Sequence, residues 1–334
     1  MNSPITGKKM KLVREPDTLT FRKENFPIVY HYYLCGDSGE HFTDEHLDTL
    51  HLKQVHNQYR EKYGIPFPEE IRNIREQYGV SASKMSEILG LGVNTYRLYE
   101  NGEMPTVANG RLILSVRDPE EFIRQVEASA HYLNEKEVEK FTAKALKLMQ
   151  DKESSAVYGE PAKVELRQDA PNVYNGYRRL DLQHVAQVIA YLDKEVGELY
   201  KTKLNKLLFY TDFLAYKQMG NSLMGLQYRA IPFGPVPAEY ERLFLRLQDE
   251  GWLANEEKRN GGGQFYDVYR AGVDFDGAQF TAQEIEILDS IITLFKTKNT
   301  SQIVDLSHTE QAWVDNEGDR ALISYQQYAF GLSI

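Results

Sequence analysis

The sequence predicts a mainly α chain of the α+β class, and three observations carry that prediction. Apolar residues recur at helical spacing through much of residues 46–150 and again after Leu182. β-branched and aromatic clusters, Leu19-Thr20-Phe21 and Ile28-Val29-Tyr30, stand in the first 45 residues between tight turns expected at Gly7, Gly36 and Gly39. Late in the chain, Gly261-Gly262-Gly263 followed by alternating Phe265, Asp267 and Tyr269 predicts a single short hairpin.

Taken in order, these signals divide the chain into five segments. Residues 1–45 form a small β ribbon, 46–118 a compact helical bundle, and 119–150 a charged helical spacer or dimerisation element. Residues 151–180 collect Ser, Pro, Gly and Asn without periodicity and read as a linker. Residues 181–334 make a second, mostly helical domain. It opens on the stripe Leu182, Val185, Val188, Ile189 and Leu192, which Leu204, Leu207, Leu208 and Thr211 repeat on the next helix. Further helices are expected near Tyr240–Gln248, Ala282–Lys296 and Gln302–Asn316.

A length of 334 residues suits two or three domains, and 42 % apolar residues can fill their cores. No apolar run is long enough to span a bilayer, and no apolar leader with basic flanks opens the chain, so no membrane partner is expected. Cys35 is the single cysteine, which excludes an internal disulfide framework and fits a cytoplasmic location. The first 117 residues carry 15 Lys and Arg against 15 Asp and Glu, so residues 118–334 hold the whole net charge of −10. An acidic carboxy-terminal half repels phosphate and suits a protein partner; DNA contacts in the front half must come from a few placed residues.

The stretch Pro68 to Pro105 supplies such residues. Ile71, Ile74 and Tyr78 line a first helix that Gly79 ends. Ser81 is suited to cap a second helix, Ala82–Leu89, whose Met85, Ile88 and Leu89 point inward and whose small Ser86 sits where two helices must cross closely. After the turn Gly90-Leu91-Gly92, a third helix is expected to bury Val93, Tyr96 and Tyr99 and to end at Asn101-Gly102. Two short helices joined this way can place the second in a major groove. There Asn94, Thr95 and Arg97 would meet base edges, while Ser81, Ser83 and Lys84 would meet phosphates. Glu100 is expected to pair with an Arg of the first helix such as Arg75. A helical hairpin with no ligand has the same apolar pattern.

Through Val80-Ser81, Met85-Ser86, Gly90, Val93, Tyr96 and Tyr99-Glu100-Asn101-Gly102, the stretch resembles the helix-turn-helix of phage-repressor-like proteins. Through Pro68-Glu69-Glu70-Ile71-Arg72 and Gly92-Val93-Asn94-Thr95 it resembles the MqsA-like antitoxins. That family places a two-knuckle zinc ribbon before its helix-turn-helix. The matching positions here are Ser3-Pro4-Ile5-Thr6-Gly7 and Cys35-Gly36-Asp37-Ser38-Gly39, with hydroxyls at three of four ligand positions. Structural zinc takes thiolate or imidazole, so the expectation is a ribbon without metal, and no cofactor. Tyr30, Tyr32, Tyr33 and Phe42 are candidates to fill the core that metal would have organised.

The last domain resembles the Panacea, or SocA-like, domain of bacterial antitoxins. The residues that carry the likeness are Lys203 to Tyr210, Gly225 to Tyr228, Ile231 to Pro237, and Leu306-Ser307-His308 with Trp313. The resemblance implies direct neutralisation of a cognate protein toxin. On its residues, Lys203, Lys206, Tyr210, Tyr228, Phe233, Gly234, Pro235, Val236 and Tyr240 are the candidate toxin-binding set. The prolines around Gly234 would hold a rigid loop and the aromatics would supply anchors, although these prolines equally suit a core-lining turn.

Catalytic readings find little support. His184 and His308 have no neighbouring nucleophile motif, and the glycine triplet lacks the Lys-Ser/Thr of a phosphate loop. Asp212 and Glu239 read as ordinary acids rather than a carboxylate pair. The expected function is therefore a non-enzymatic antitoxin that neutralises a toxin and represses its own operon. A phage-type regulator with a partner- or ligand-sensing domain and a protease adaptor for a toxin are the alternatives. Reading a palindromic operator calls for a homodimer, with Phe122, Val126, Tyr132 and Leu133 as available apolar residues.

Overall fold

The computed structural model describes residues 1–157, 166, 169–259, 263 and 265–334. The expected 151–180 linker and the glycine triplet thus lie partly outside the described residues. In chain order the first elements are β1 (Lys11–Phe21), β2 (Glu24–Leu34), β3 (His41–Phe42), α1 (Glu45–Tyr63), α2 (Pro68–Glu76), α3 (Ala82–Ile88) and α4 (Thr95–Glu100). Next come α5 (Val107–Ser115), α6 (Pro119–Ala128), α7 (Glu135–Val157), α8 (Leu182–Val196), β4 (Leu199–Tyr200) and α9 (Lys201–Met219). The chain continues through β5 (Tyr228–Ile231), β6 (Gly234–Pro237), α10 (Tyr240–Asp249), β7 (Leu253–Arg259) and β8 (Phe265–Ala271). It finishes with α11 (Ala282–Phe295), α12 (Thr300–Thr309), α13 (Gln311–Val314) and α14 (Tyr325–Tyr328). The class is mainly α with small antiparallel sheets.

Two compact units form, one from Met1–Val55 with Lys163–Ile334 and one from His56–Ala162. The amino-terminal ribbon therefore groups with the carboxy-terminal residues rather than with the helices that follow it. Its hairpin pairs β1 with β2 from Lys11↔Leu34 to Phe21↔Glu24. Arg22 and Lys23 close it in left-handed conformation, φ 48° and 69°, a turn that matches strand twist but usually employs Asn or Gly. The far edge of β2 is satisfied by α1: the Val29 amide donates to Gln54 Oε1 at 2.8 Å, and the His31 amide donates to His51 Nε2 at 2.8 Å. Those amides point away from β1, so Pro16, paired with Val29, removes no ladder bond from the hairpin. His31 also packs edge-on against Phe330, tying the ribbon to the chain end.

In the same unit α9 runs through the core, with α11, α12, β4, β6 and β8 packed around it. Every residue from Lys203 to Tyr216 is buried, so apolar periodicity disappears along it. Asp212, wholly buried, accepts from the Leu223 and Met224 amides at 2.8 Å each and from the Tyr228 hydroxyl at 3.0 Å. The Tyr325 hydroxyl reaches the same carboxylate at 3.2 Å. The small sheet runs β4-β8-β7.

The second unit is built on one apolar cluster. Ile71, Ile74, Tyr78, Met85, Ile88, Leu89, Tyr96 and Tyr99 are all buried in it, as their spacing predicts. Tyr78 stacks on Phe122 at 3.7 Å, and its hydroxyl donates to the Val116 carbonyl at 2.8 Å. The Tyr96 hydroxyl donates to the Ile71 carbonyl at 2.7 Å, fastening α4 to α2. Phe122, Val126 and Leu133, expected to be available to a second copy, are instead consumed by this core together with Phe141 and Ala145 of α7. Burial of each large side chain contributes about 2–3 kcal/mol, enough to hold α6 and α7 in place.

Candidate functional site

In the first unit, the β5–β6 hairpin projects a two-residue turn, Pro232-Phe233. Its stem is clamped from two sides. Trp313 Nε1 donates to the Ile231 carbonyl at 2.8 Å, and Lys206 Nζ donates to the Pro235 carbonyl at 2.8 Å. The His308 ring stacks on Trp313 with centroids 4.1 Å apart. Gly234, at φ +90°, closes the turn; a Cβ there would collide with Ser307 Oγ and Lys206 Nζ, so only glycine fits. The result is an immobilised base beneath a bare tip: Phe233 is 70 % exposed, and Val314 on neighbouring α13 is 50 % exposed. A fixed aromatic in water suits partner binding, because little conformational entropy remains to be lost on docking.

Most of the other expected contact residues lie beneath that tip. Lys203, Lys206, Tyr210, Tyr228, Gly234, Pro235 and Val236 are buried by the chain itself, which corrects their assignment to a gripping surface. Lys203 donates to the Lys298 carbonyl at 3.1 Å, and Lys206 to Pro235, so both lysines bind main-chain carbonyls rather than partner carboxylates. Burial brings the Lys206 ammonium down to about 7. Tyr228 serves Asp212, and Tyr210 packs against Phe295 with centroids 4.7 Å apart. Tyr240 is half-buried and its hydroxyl donates to Glu241 at 3.1 Å. The clamping roles of Trp313 and His308 escaped sequence reasoning, although both residues stand in the stretch that carried the resemblance.

In the second unit, Ser81 caps α3 by accepting from the Lys84 amide at 3.2 Å. Ser86, fully buried, accepts from the Tyr96 amide at 3.1 Å where α3 and α4 cross. The connecting turn puts Gly90 at φ +63°. Asn94 and Arg97 are exposed together on α4 and its leading turn, while Thr95 is half-buried. Val93 is 64 % exposed rather than buried, because α4 starts only at Thr95 and leaves Val93 in the turn. Ser83 is half-buried, and Lys84 is engaged by Glu87 at 2.7 Å and Glu137 at 3.2 Å, so it is not free for phosphate.

In the ribbon, the turns Ser3–Gly7 and Cys35–Gly39 face each other, with Thr6 Oγ1 3.6 Å from Cys35 Sγ. Hydrogen bonds from Ser3, Ser38 and Thr6 bring the Cys35 thiol down to about 6. Among the described residues no three His, Cys, Asp or Glu side chains converge as metal ligands. Tyr32 is buried and stacks on His41, while Tyr33 pairs across to Phe42 on β3. Asp212 and Glu239 do not form a pair: the first is the buried anchor above, and the second binds Arg242 at 3.2 Å.

Residues 204–314 match the family described as antitoxin SocA-like, Panacea domain. The matched region begins inside α9 and ends at Val314, so it contains Lys206, the Pro232-Phe233 turn, Ser307, His308 and Trp313. The clamped turn is thus internal to the matched region. No curated protein matches the chain. No helix among the described residues is long and apolar enough to cross a membrane.

Proposed function

We propose that this protein is a non-enzymatic antitoxin whose Panacea region neutralises a cognate protein toxin by seating the Phe233 tip in it. The observation that carries this reading is the bare Phe233 on an immobilised turn within the antitoxin-family match. Val314 and Pro232 extend the apolar contact, and the buried lysines and tyrosines act indirectly by fixing the turn. The acidic balance of residues 118–334 suits a basic toxin.

In the same proposal, α3 and α4 are the two helices of a helix-turn-helix that reads the protein's own operator, with Asn94 and Arg97 at base edges. Two half-sites would require two copies of the chain.

Co-expression with the neighbouring gene tests the toxin reading. That gene alone should stop growth, the full chain should restore it, and Phe233→Glu should abolish rescue while Asn94→Ala keeps it. A harmless neighbour, or full rescue by Phe233→Glu, removes the proposal. Footprinting on the upstream DNA tests the operator reading. Arg97→Ala should lose the protected site, and an unchanged footprint there and with Asn94→Ala would contradict it.

A further inference from the structure

On α7, Lys136, Lys140, Lys144 and Lys147 follow one another at intervals of four, four and three residues. At helical geometry these positions share a face about 80° wide and run along about 16 Å of axis. All four side chains are exposed, and among the described residues none has an ion-pair partner. From Lys140 to Gln150 the sequence holds three lysines and no Asp or Glu. The row is therefore exposed positive charge without an ion pair among the described residues, in an otherwise acidic half of the chain.

Its placement is set by the residues beside it. Phe141 and Ala145 face the core, and Glu137 lies between that face and the lysine row. The Glu137 carboxylate holds Lys84 of α3 at 3.2 Å. The flank of α7 that carries the lysines is thus the one turned toward the start of α3. In a helix-turn-helix, the first helix crosses the phosphate backbone while the second reads bases. Lys84, the cation expected to do this on α3, is taken up by Glu87 and Glu137. The charge missing there is present, fourfold, on α7.

We infer that the lysine face of α7 grips the phosphate backbone of duplex DNA beside the bases read from α4. The inference rests on the operator reading above and adds a second contact surface to it. A membrane surface fits less well, because most of the apolar residues of α7 are spent on the core and Leu146 is the one large apolar side chain among its described residues left exposed to insert. Four lysines on successive turns supply affinity without sequence preference, which is what a short reading helix with few cations lacks.

The test uses the full chain and two labelled duplexes: the DNA immediately upstream of its gene, and a scrambled duplex of equal composition. Anisotropy titrations across a salt series compare the wild type, Arg97→Ala, and a variant with Lys136→Gln, Lys140→Gln, Lys144→Gln and Lys147→Gln together. The lysine variant should weaken both duplexes by a similar factor, keep the preference between them, and lower the slope of log K against log salt by about 3–4. Its melting temperature should stay at the wild-type value, since all four positions are exposed. An unchanged salt slope, with Arg97→Ala still erasing the preference, would overturn the lysine inference and leave the operator reading standing. Failure of the wild type to bind either duplex would overturn both.

Discussion

Arg75 Nε lies 2.5 Å from Glu100 Oε1, while Arg75 Nη1 donates to the Val80 carbonyl at 2.9 Å. One side chain therefore ties α2 to α4 and to the segment leading into α3. The Glu100 hydrogen bond, largest among the causes, raises the Arg75 guanidinium above its ordinary range. Glu100→Ala should cost about 1.5–3 kcal/mol, the range for hydrogen bonds to charged groups, because it removes the shorter of two carboxylate partners from a largely buried cation and leaves it Glu76 and the Val80 carbonyl. Urea unfolding checks this, and loss of DNA binding should follow only where the unit unfolds. A change under about 0.5 kcal/mol would show that the pair is dispensable.

Asp212 gives the unit that holds residues 204–314 a definite acid response. Burial raises its carboxyl to about 6, against opposing hydrogen bonds from Met224, Leu223, Tyr228 and Tyr325. A folded pKa above the unfolded value of about 3.8 means that the native state holds more protons in between. The contribution of this group to stability is therefore greatest at acid pH and falls as pH rises from about 4 to about 6. In Asp212→Asn the difference in stability from wild type should change sign or shrink across that window and be flat above it. Thermal melts at stepped pH read the difference directly; parallel curves would contradict the assignment.

Lys206 should act with the opposite slope. Its pKa is lowered to about 7 by burial, so the unfolded chain binds more protons above that point. The cost of burying the ammonium is full below about pH 7 and is relieved as pH rises toward 10. Lys206→Met should remove this rise, leaving a variant at least as stable at pH 6, yet it should free the Pro235 carbonyl and loosen the Phe233 turn. Stability preserved with toxin affinity reduced is the expected split. Reduced stability at pH 6 with unchanged affinity would contradict it.

These relations also mark what the sequence could reveal. Ser81 as a cap, Ser86 at a helix crossing and Glu100 with Arg75 were readable because each partner lies within one short, strongly periodic stretch. Lys206 was not. On a helix covered on all sides polarity has no outward face, and the carbonyl that accepts Lys206 lies 29 residues away. Phe233 could be placed in the loop from its prolines, but its exposure depends on Trp313 from a distant helix. The ribbon's attachment through Gln54, His51 and Phe330 spans almost the whole chain and leaves no local pattern. The apolar residues of α6 read as free for a dimer because their true neighbour, Tyr78, precedes them by more than a whole helix.

The central claim is that the clamped turn seats in a toxin, and calorimetric titration of the purified full chain with the neighbouring gene's product measures it most directly. The wild type should bind, and Phe233→Glu should bind at least about 30-fold more weakly with an unchanged melting temperature, the mark of a hot-spot anchor. Equal affinity of wild type and Phe233→Glu would contradict the account.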